Sequence, residues 1–242
     1  MKYAHRIKAA TLLLIGLLSC SRPGAVRPTA QAPVLGSPTE AQAALAVLQS
    51  HEPQTYKMVH QVVARYQGRD YLMTGYLLGR KDGSFRVSAS AVVGPRLFDV
   101  AKLNGRWSAQ VHLPQLAQQL DARHLGQAVE RIYFISAEQP LYPDNGYWAS
   151  RSRLSGEEDI DSVEQWRDPK TLATVRKEFF TAGKPLLQIQ YDRFEPVQGH
   201  WLARHVRLED SRGYELELNV TDYQPGFAVP DERLWLEPTP PP

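Results

Sequence analysis

The stretch GSFRVSASAVVGPRLFDVAKLNGRW, residues 83–107, runs on a period of two. Phe85, Val87, Ala89, Ala91 and Val93 fall on one side, and Arg86, Ser88 and Ser90 on the other. Successive side chains of an extended chain face opposite ways, so this alternation predicts an antiparallel strand with one apolar and one wet face. Asn104-Gly105 then supplies a hairpin turn. The same pattern returns in GYELELNV, residues 213–220, where Tyr214, Leu216, Leu218 and Val220 alternate with Glu215, Glu217 and Asn219. Further turn signals stand at Gly68-Arg69-Asp70, Asp82-Gly83, Asp168-Pro169, Ala182-Gly183 and Gln198-Gly199. Together they predict about ten strands, mostly joined as hairpins.

Two segments break this rhythm with a helical one. Ser37-Pro38-Thr39-Glu40 places serine at the N-cap, proline at the first helical position and glutamate three residues on, a capping-box start. Ala41, Ala44, Leu45 and Leu48 mark one face of the helix that follows, which ends before Pro53. In PQLAQQLDARHLGQAVERIYFI, residues 114–135, Leu116, Leu120, Leu125, Val129 and Ile132 fall at helical spacing, interrupted at Gly126. One or two helices are therefore expected between two sets of strands. Residues 139–156 read as a loop with Tyr142, Tyr147 and Trp148 exposed.

The first twenty residues have a separate logic. Lys2, Arg6 and Lys8 form a basic start, Ala9 to Leu18 an apolar core too short to span a bilayer, and Leu17-Leu18-Ser19-Cys20 a small or apolar run ending on the sole cysteine. This matches the lipobox of bacterial lipoprotein signal peptides, which implies a leader over residues 1–19, cleavage before Cys20, and acylation of that residue. Several acyl chains on one residue make a stable membrane anchor. Ser21, where an inner-membrane retention signal has aspartate, implies sorting to the outer membrane, with the domain facing the periplasm. Residues 20–37, rich in Pro, Ala and Gly, read as the acylated cysteine and a flexible tether. Residues 38–242 read as one domain.

With its one cysteine used as an attachment point, the chain has neither a disulfide nor a catalytic thiol. The formal charge is +2, and losing the leader's three cations gives 2 − 3 = −1. Such a surface points to no nucleic acid and no polybasic membrane patch. G-x-S-x-G, H-E-x-x-H and Walker motifs are all missing from the sequence. His51, His60, His112, His124, His200 and His205 are scattered and read as surface or turn residues, and His200 and His205 make a poor metal pair. The acids Glu157, Glu158, Asp159 and Asp161 lack the alternating ligands of a calcium loop and read as a solvated strand entrance. No catalytic residue, metal ligand or cofactor is expected, and a monomer is.

The order of elements, with residues 83–107, resembles the LolA/LolB-like lipoprotein-localisation carriers. The strand pair in that stretch is similar to the family's "fRl" strand, glycine turn and "lfdl…ng" strand. KEFFTAGKPLLQIQYDRFEPVQGHWLARHVRLED, residues 177–210, is similar to its late hairpins, although Ala203 stands where proline is usual. NVTDYQPGFAVPDERLWLEP, residues 219–238, is similar to its closing segment, with Leu234 or Trp235 in place of phenylalanine. The resemblance covers most of Tyr56 to Pro238. It implies a mainly β (α+β) fold in which a single curved antiparallel sheet forms an incomplete β-barrel, with an N-terminal helix and an inserted helical lid. It also implies an apolar cavity for acyl chains, and the alternation makes Val87, Ala89, Leu187, Ile189, Val206, Leu208, Leu216 and Leu218 its candidate lining. Membrane-bound members carry a protruding apolar residue in the turn after the "fRl" strand. Val93 takes that position and implies a membrane contact, unless it simply ends the apolar face begun at Phe85.

Two functions fit this sequence. One is a membrane-anchored periplasmic binding protein that transfers or inserts an acyl-bearing ligand, a lipoprotein or a lipid. The other is a non-enzymatic scaffold lipoprotein of an envelope complex, acting through a surface such as the Tyr142–Trp148 loop.

Overall fold

The computed structural model describes residues 36–66, 68–112, 122–137, 140–155 and 159–228. The expected leader, Cys20, most of the tether, the first part of the inserted segment, Glu157, Glu158 and the closing segment beyond residue 228 lie outside the described residues.

A helix, α1 (Pro38–Ser50), comes first, and its start follows the chemistry of its residues. The Ser37 hydroxyl accepts from the Glu40 amide at 3.3 Å, and the Glu40 carboxylate accepts from the Ser37 amide at 2.6 Å. Four amides at a helix start have no internal partner, and this box serves two of them.

Among the described residues twelve strands follow, all in one antiparallel sheet: β1 (Thr55–Tyr66), β2 (Arg69–Arg80), β3 (Phe85–Ala91), β4 (Arg96–Leu103), β5 (Arg106–Val111), β6 (Tyr142–Asp144), β7 (Tyr147–Arg153), β8 (Ser162–Arg167), β9 (Thr174–Thr181), β10 (Lys184–Val197), β11 (His200–Asp210) and β12 (Glu215–Pro225). Their order across the sheet is β5-β4-β3-β2-β1-β12-β11-β10-β9-β8-β7-β6. Every neighbour is a hairpin partner except β1 and β12, whose pairing joins the two halves. The sheet is curved and unclosed, with β5 and β6 at its edges. The chain between those edges carries the second described helix, α2 (Ala122–Tyr133).

Two strands, β6 and β7, come from the stretch that reads as loop. Asn145 and Gly146 both adopt positive φ, 48° and 83°, which is the geometry of a tight hairpin turn. Trp148, Ala149 and Ser150 are consecutive and all buried, so β7 shows no alternation to detect. Trp148, expected on the surface, is 1% exposed and packs with Ala41, Leu45, Leu141 and Leu172 beneath α1.

Gly126, which interrupts the helical pattern, lies inside α2 at its closest approach to the sheet. A Cβ there would stand 2.5 Å from the Trp107 ring and 2.8 Å from Val100 Cγ1. Only glycine lets the helix backbone settle that low. Leu125 and Val129 on one flank and Ala128 and Ile132 on the other then reach two clusters on the concave face of the sheet.

Candidate functional site

The concave face is where the sheet presents its apolar side chains. Val87 and Ala89 of β3 belong to one cluster, with Met58, Leu77, Phe85, Phe98 and Val100. Leu187, Ile189, Val206, Leu208, Leu216 and Leu218 of β10 to β12 belong to the other, with Val62, Val163 and Phe179. All eight candidate residues are buried, none more than 8% exposed. Side chains of α2 and the residue after it pack directly onto them: Ile132 on the second cluster, Phe134 on the first, and Tyr133 on both. Phe134 stacks on Phe85 with ring centroids 5.2 Å apart and lies 6.4 Å from Tyr56.

The helix is held there by polar groups as well. Lys102 of β4 pairs with Glu130. At the other end, the last carbonyls of α2 have no internal partner, and the sheet supplies donors for them. Lys177 Nζ donates to the carbonyls of Arg131 at 3.2 Å, Ile132 at 3.0 Å and Ile135 at 2.6 Å. The Tyr191 hydroxyl donates to the Ile132 carbonyl at 2.7 Å. His60 Nε2 lies 2.7 Å from the Tyr133 hydroxyl. α1 ends in a similar way, with Lys81 Nζ donating to the Gln49 carbonyl at 2.6 Å. A cation is favourable at a helix C-terminus, where the carbonyl dipoles converge.

Burial sets the charge states of this layer. It pushes the Lys177 ammonium down to about 7, and the nearby Arg167 charge acts in the same direction. It lowers Arg167 to about 10 against the opposing pull of Glu52. His60 is lowered to about 4 by burial, so its ring is neutral at physiological pH. The expectation of a surface or turn histidine fails at His60, which is 3% exposed on the inner face of β1.

The register places these polar groups in line with the apolar ones. Directly paired residues share a face. Following the pairs across the sheet, Ser150 faces Gln165, Gln165 faces Lys177, and Lys177 faces Ile189. Ile189 faces Leu208, Leu208 faces Leu216, and Leu216 faces Ala64. One row therefore changes from polar to apolar between β9 and β10. Sequence reading missed its polar half because a polar residue in an alternating run counts toward the wet face. The available signal was Phe179, two residues from Lys177 and therefore on the same side.

Val93 does not end the apolar face. It is 94% exposed in the turn between β3 and β4, beside Val92 at 65%. Of the loop aromatics, Tyr142 is on the surface, and its hydroxyl bonds the Glu164 carboxylate. His200 bonds the Tyr223 hydroxyl at 3.1 Å, while His205 lies between Asp192 and Glu217 at 2.9 and 3.2 Å. Among the described residues no cluster of three metal-ligating side chains occurs. A further depression, with polar and apolar walls in near-equal share, lies among residues that include Arg151, Arg153, Leu154 and Asp161.

No protein-family profile matches the chain, and no curated protein matches it in sequence. Solved structures do. A DUF1329 family protein from Desulfovibrio piger superposes with a TM-score of 0.57 at 13% identity, covering 83% of this chain and 100% of that one. A LolA superfamily protein from Nitrosomonas europaea superposes with a TM-score of 0.55 at 15% identity, covering 81% and 97%. The fold is LolA/LolB-like. In this LolA-like sheet the concave face, α2 and the polar groups beneath its last turn are the functional candidate.

Proposed function

We propose that the protein is an envelope lipoprotein, anchored in the outer membrane through Cys20, whose concave face takes acyl chains for transfer or insertion there. The observation that carries this reading is the cover on that face. The amphipathic helix α2 packs along β4 and β5, and its last turn reaches the aliphatic cluster of β10 to β12, where side-chain contacts and hydrogen bonds seat it. Moving that turn aside uncovers a continuous apolar floor, the kind of surface an acyl chain occupies. Val93, with no core contact to gain from its exposed turn, is the proposed membrane contact. The protein acts by binding, with no catalytic residue and no cofactor.

The test is native mass spectrometry of the Cys20→Ser chain, purified without its acyl anchor. An adduct of acyl-chain mass that survives desolvation supports the reading. Only apoprotein, before and after incubation with lipid vesicles, contradicts it.

A further inference from the structure

Lys177 and Arg167 are two buried cations on one side of the sheet, 3% and 7% exposed. Among the described residues neither has a carboxylate within ion-pair distance. Their partners are neutral. Lys177 holds the Arg131 and Ile132 carbonyls in the last turn of α2 and the Ile135 carbonyl just beyond it. Arg167 Nη1 donates to the Leu172 carbonyl at 3.3 Å and to Thr174 Oγ1 at 3.0 Å, and its Nε is buried without a partner. Gln165 shares the same Thr174 hydroxyl and stands directly opposite Lys177 on the neighbouring strand. Buried charge without a counter-charge is costly, and each of these cations raises the cost of the other.

We propose that Lys177 and Arg167, with Gln165 and Tyr191, form a binding site for the anionic head group, carboxylate or phosphate, of an acyl amphiphile. The proposal rests on the acyl-binding reading above and adds the class of ligand. The row described earlier gives the pose. The head sits at Lys177, and the chain runs across Ile189, Leu208 and Leu216 to Ala64. Three strand intervals at ~4.8 Å make that apolar path about 14 Å long. Lys177 and Tyr191 exchange helix carbonyls for the anion when the last turn of α2 moves off, and the carbonyls pass to water. The anion supplies Lys177 with a directly bonded counter-charge and adds to the more distant pull of Glu52 on Arg167, through charge-assisted hydrogen bonds. A Lys177 ammonium lowered to about 7 by burial and by Arg167 is consistent with a site short of negative charge.

The experiment measures the affinity of the full-length protein for dodecanoate and for 1-dodecanol, which share a chain and differ in charge. Dodecanoate is expected to bind at least about tenfold tighter, as charge-assisted bonds in a buried site require. Lys177→Met with Arg167→Met is expected to abolish that preference and retain dodecanol binding, while Lys177→Arg keeps the preference. Should the double variant fail to fold, the wild-type comparison of acid and alcohol decides alone. Equal binding of the two ligands overturns the head-group site and leaves the acyl reading standing. Binding of neither overturns both. Inorganic phosphate is expected not to compete with dodecanoate. Binding of phosphate with no binding of either dodecyl compound replaces the proposal with a simple anion site.

Discussion

His60 reports on the buried polar layer from the central strand of the sheet. Burial lowers it from 6.5 to about 4, while a backbone hydrogen bond to Gly75 acts weakly the other way. In the unfolded chain the ring takes up its proton near 6.5, so between about 6.5 and 4 the unfolded state binds more protons and stability falls as pH falls. His60→Gln removes that titration. The variant is expected to lose ~1–2 kcal/mol at pH 7 from the disturbed contact with Tyr133, yet to lose less than wild type between pH 7 and 4.5. Urea unfolding at both pH values measures this, and parallel pH slopes would contradict it. Val93 tests the exposed turn between β3 and β4. As a 94% exposed turn residue it can become glutamate at a stability cost of under about 0.5 kcal/mol. The account expects Val93→Glu to fold normally and to lose delivery of bound acyl cargo to vesicles. Undiminished delivery removes the membrane role.

At the scale of elements, α2 is the part on which the account turns. Gly126→Ala would raise intrinsic helix propensity by about 1 kcal/mol in an isolated peptide. Here the added methyl meets the Trp107 ring at 2.5 Å, so the helix must lift, and the expected net result is a loss of ~1–3 kcal/mol, read as a lower urea midpoint. A stabilised variant would mean that α2 does not sit on Trp107. The elements differ in how far their sequences disclose them. β3, β10, β11 and β12 are legible because their inner faces are apolar and their outer faces wet, and α1 because its capping residues are local. β6 and β7 are not, since Trp148, Ala149 and Ser150 are buried on both faces and the period is lost. The polar floor was hidden for a related reason. Gln165, Arg167 and Lys177 occupy positions where side-chain type and burial disagree, and only the strand register reveals their side. The eight apolar positions and the inserted helix that covers them were readable from their periodicities, whereas how closely that helix settles on the sheet was not, because the contact depends on Gly126, which reads as an interruption.

For the whole molecule, the proposed function needs an anchor at Cys20 and the concave face to work together. Cys20→Ser is expected to leave the precursor uncut or to move the protein from the membrane to the soluble fraction, with palmitate incorporation abolished. Labelling that persists in the variant would contradict the anchor. The central claim is that acyl chains enter beneath α2, and a fatty acid with its photoactivatable group at mid-chain tests it most directly. After irradiation of the full-length protein and peptide mapping, the account predicts adducts on the inner face of β10 to β12, among Leu187, Ile189, Val206, Leu208, Leu216 and Leu218. Adducts confined to outward-facing side chains, or to the Val92–Val93 turn alone, would contradict it.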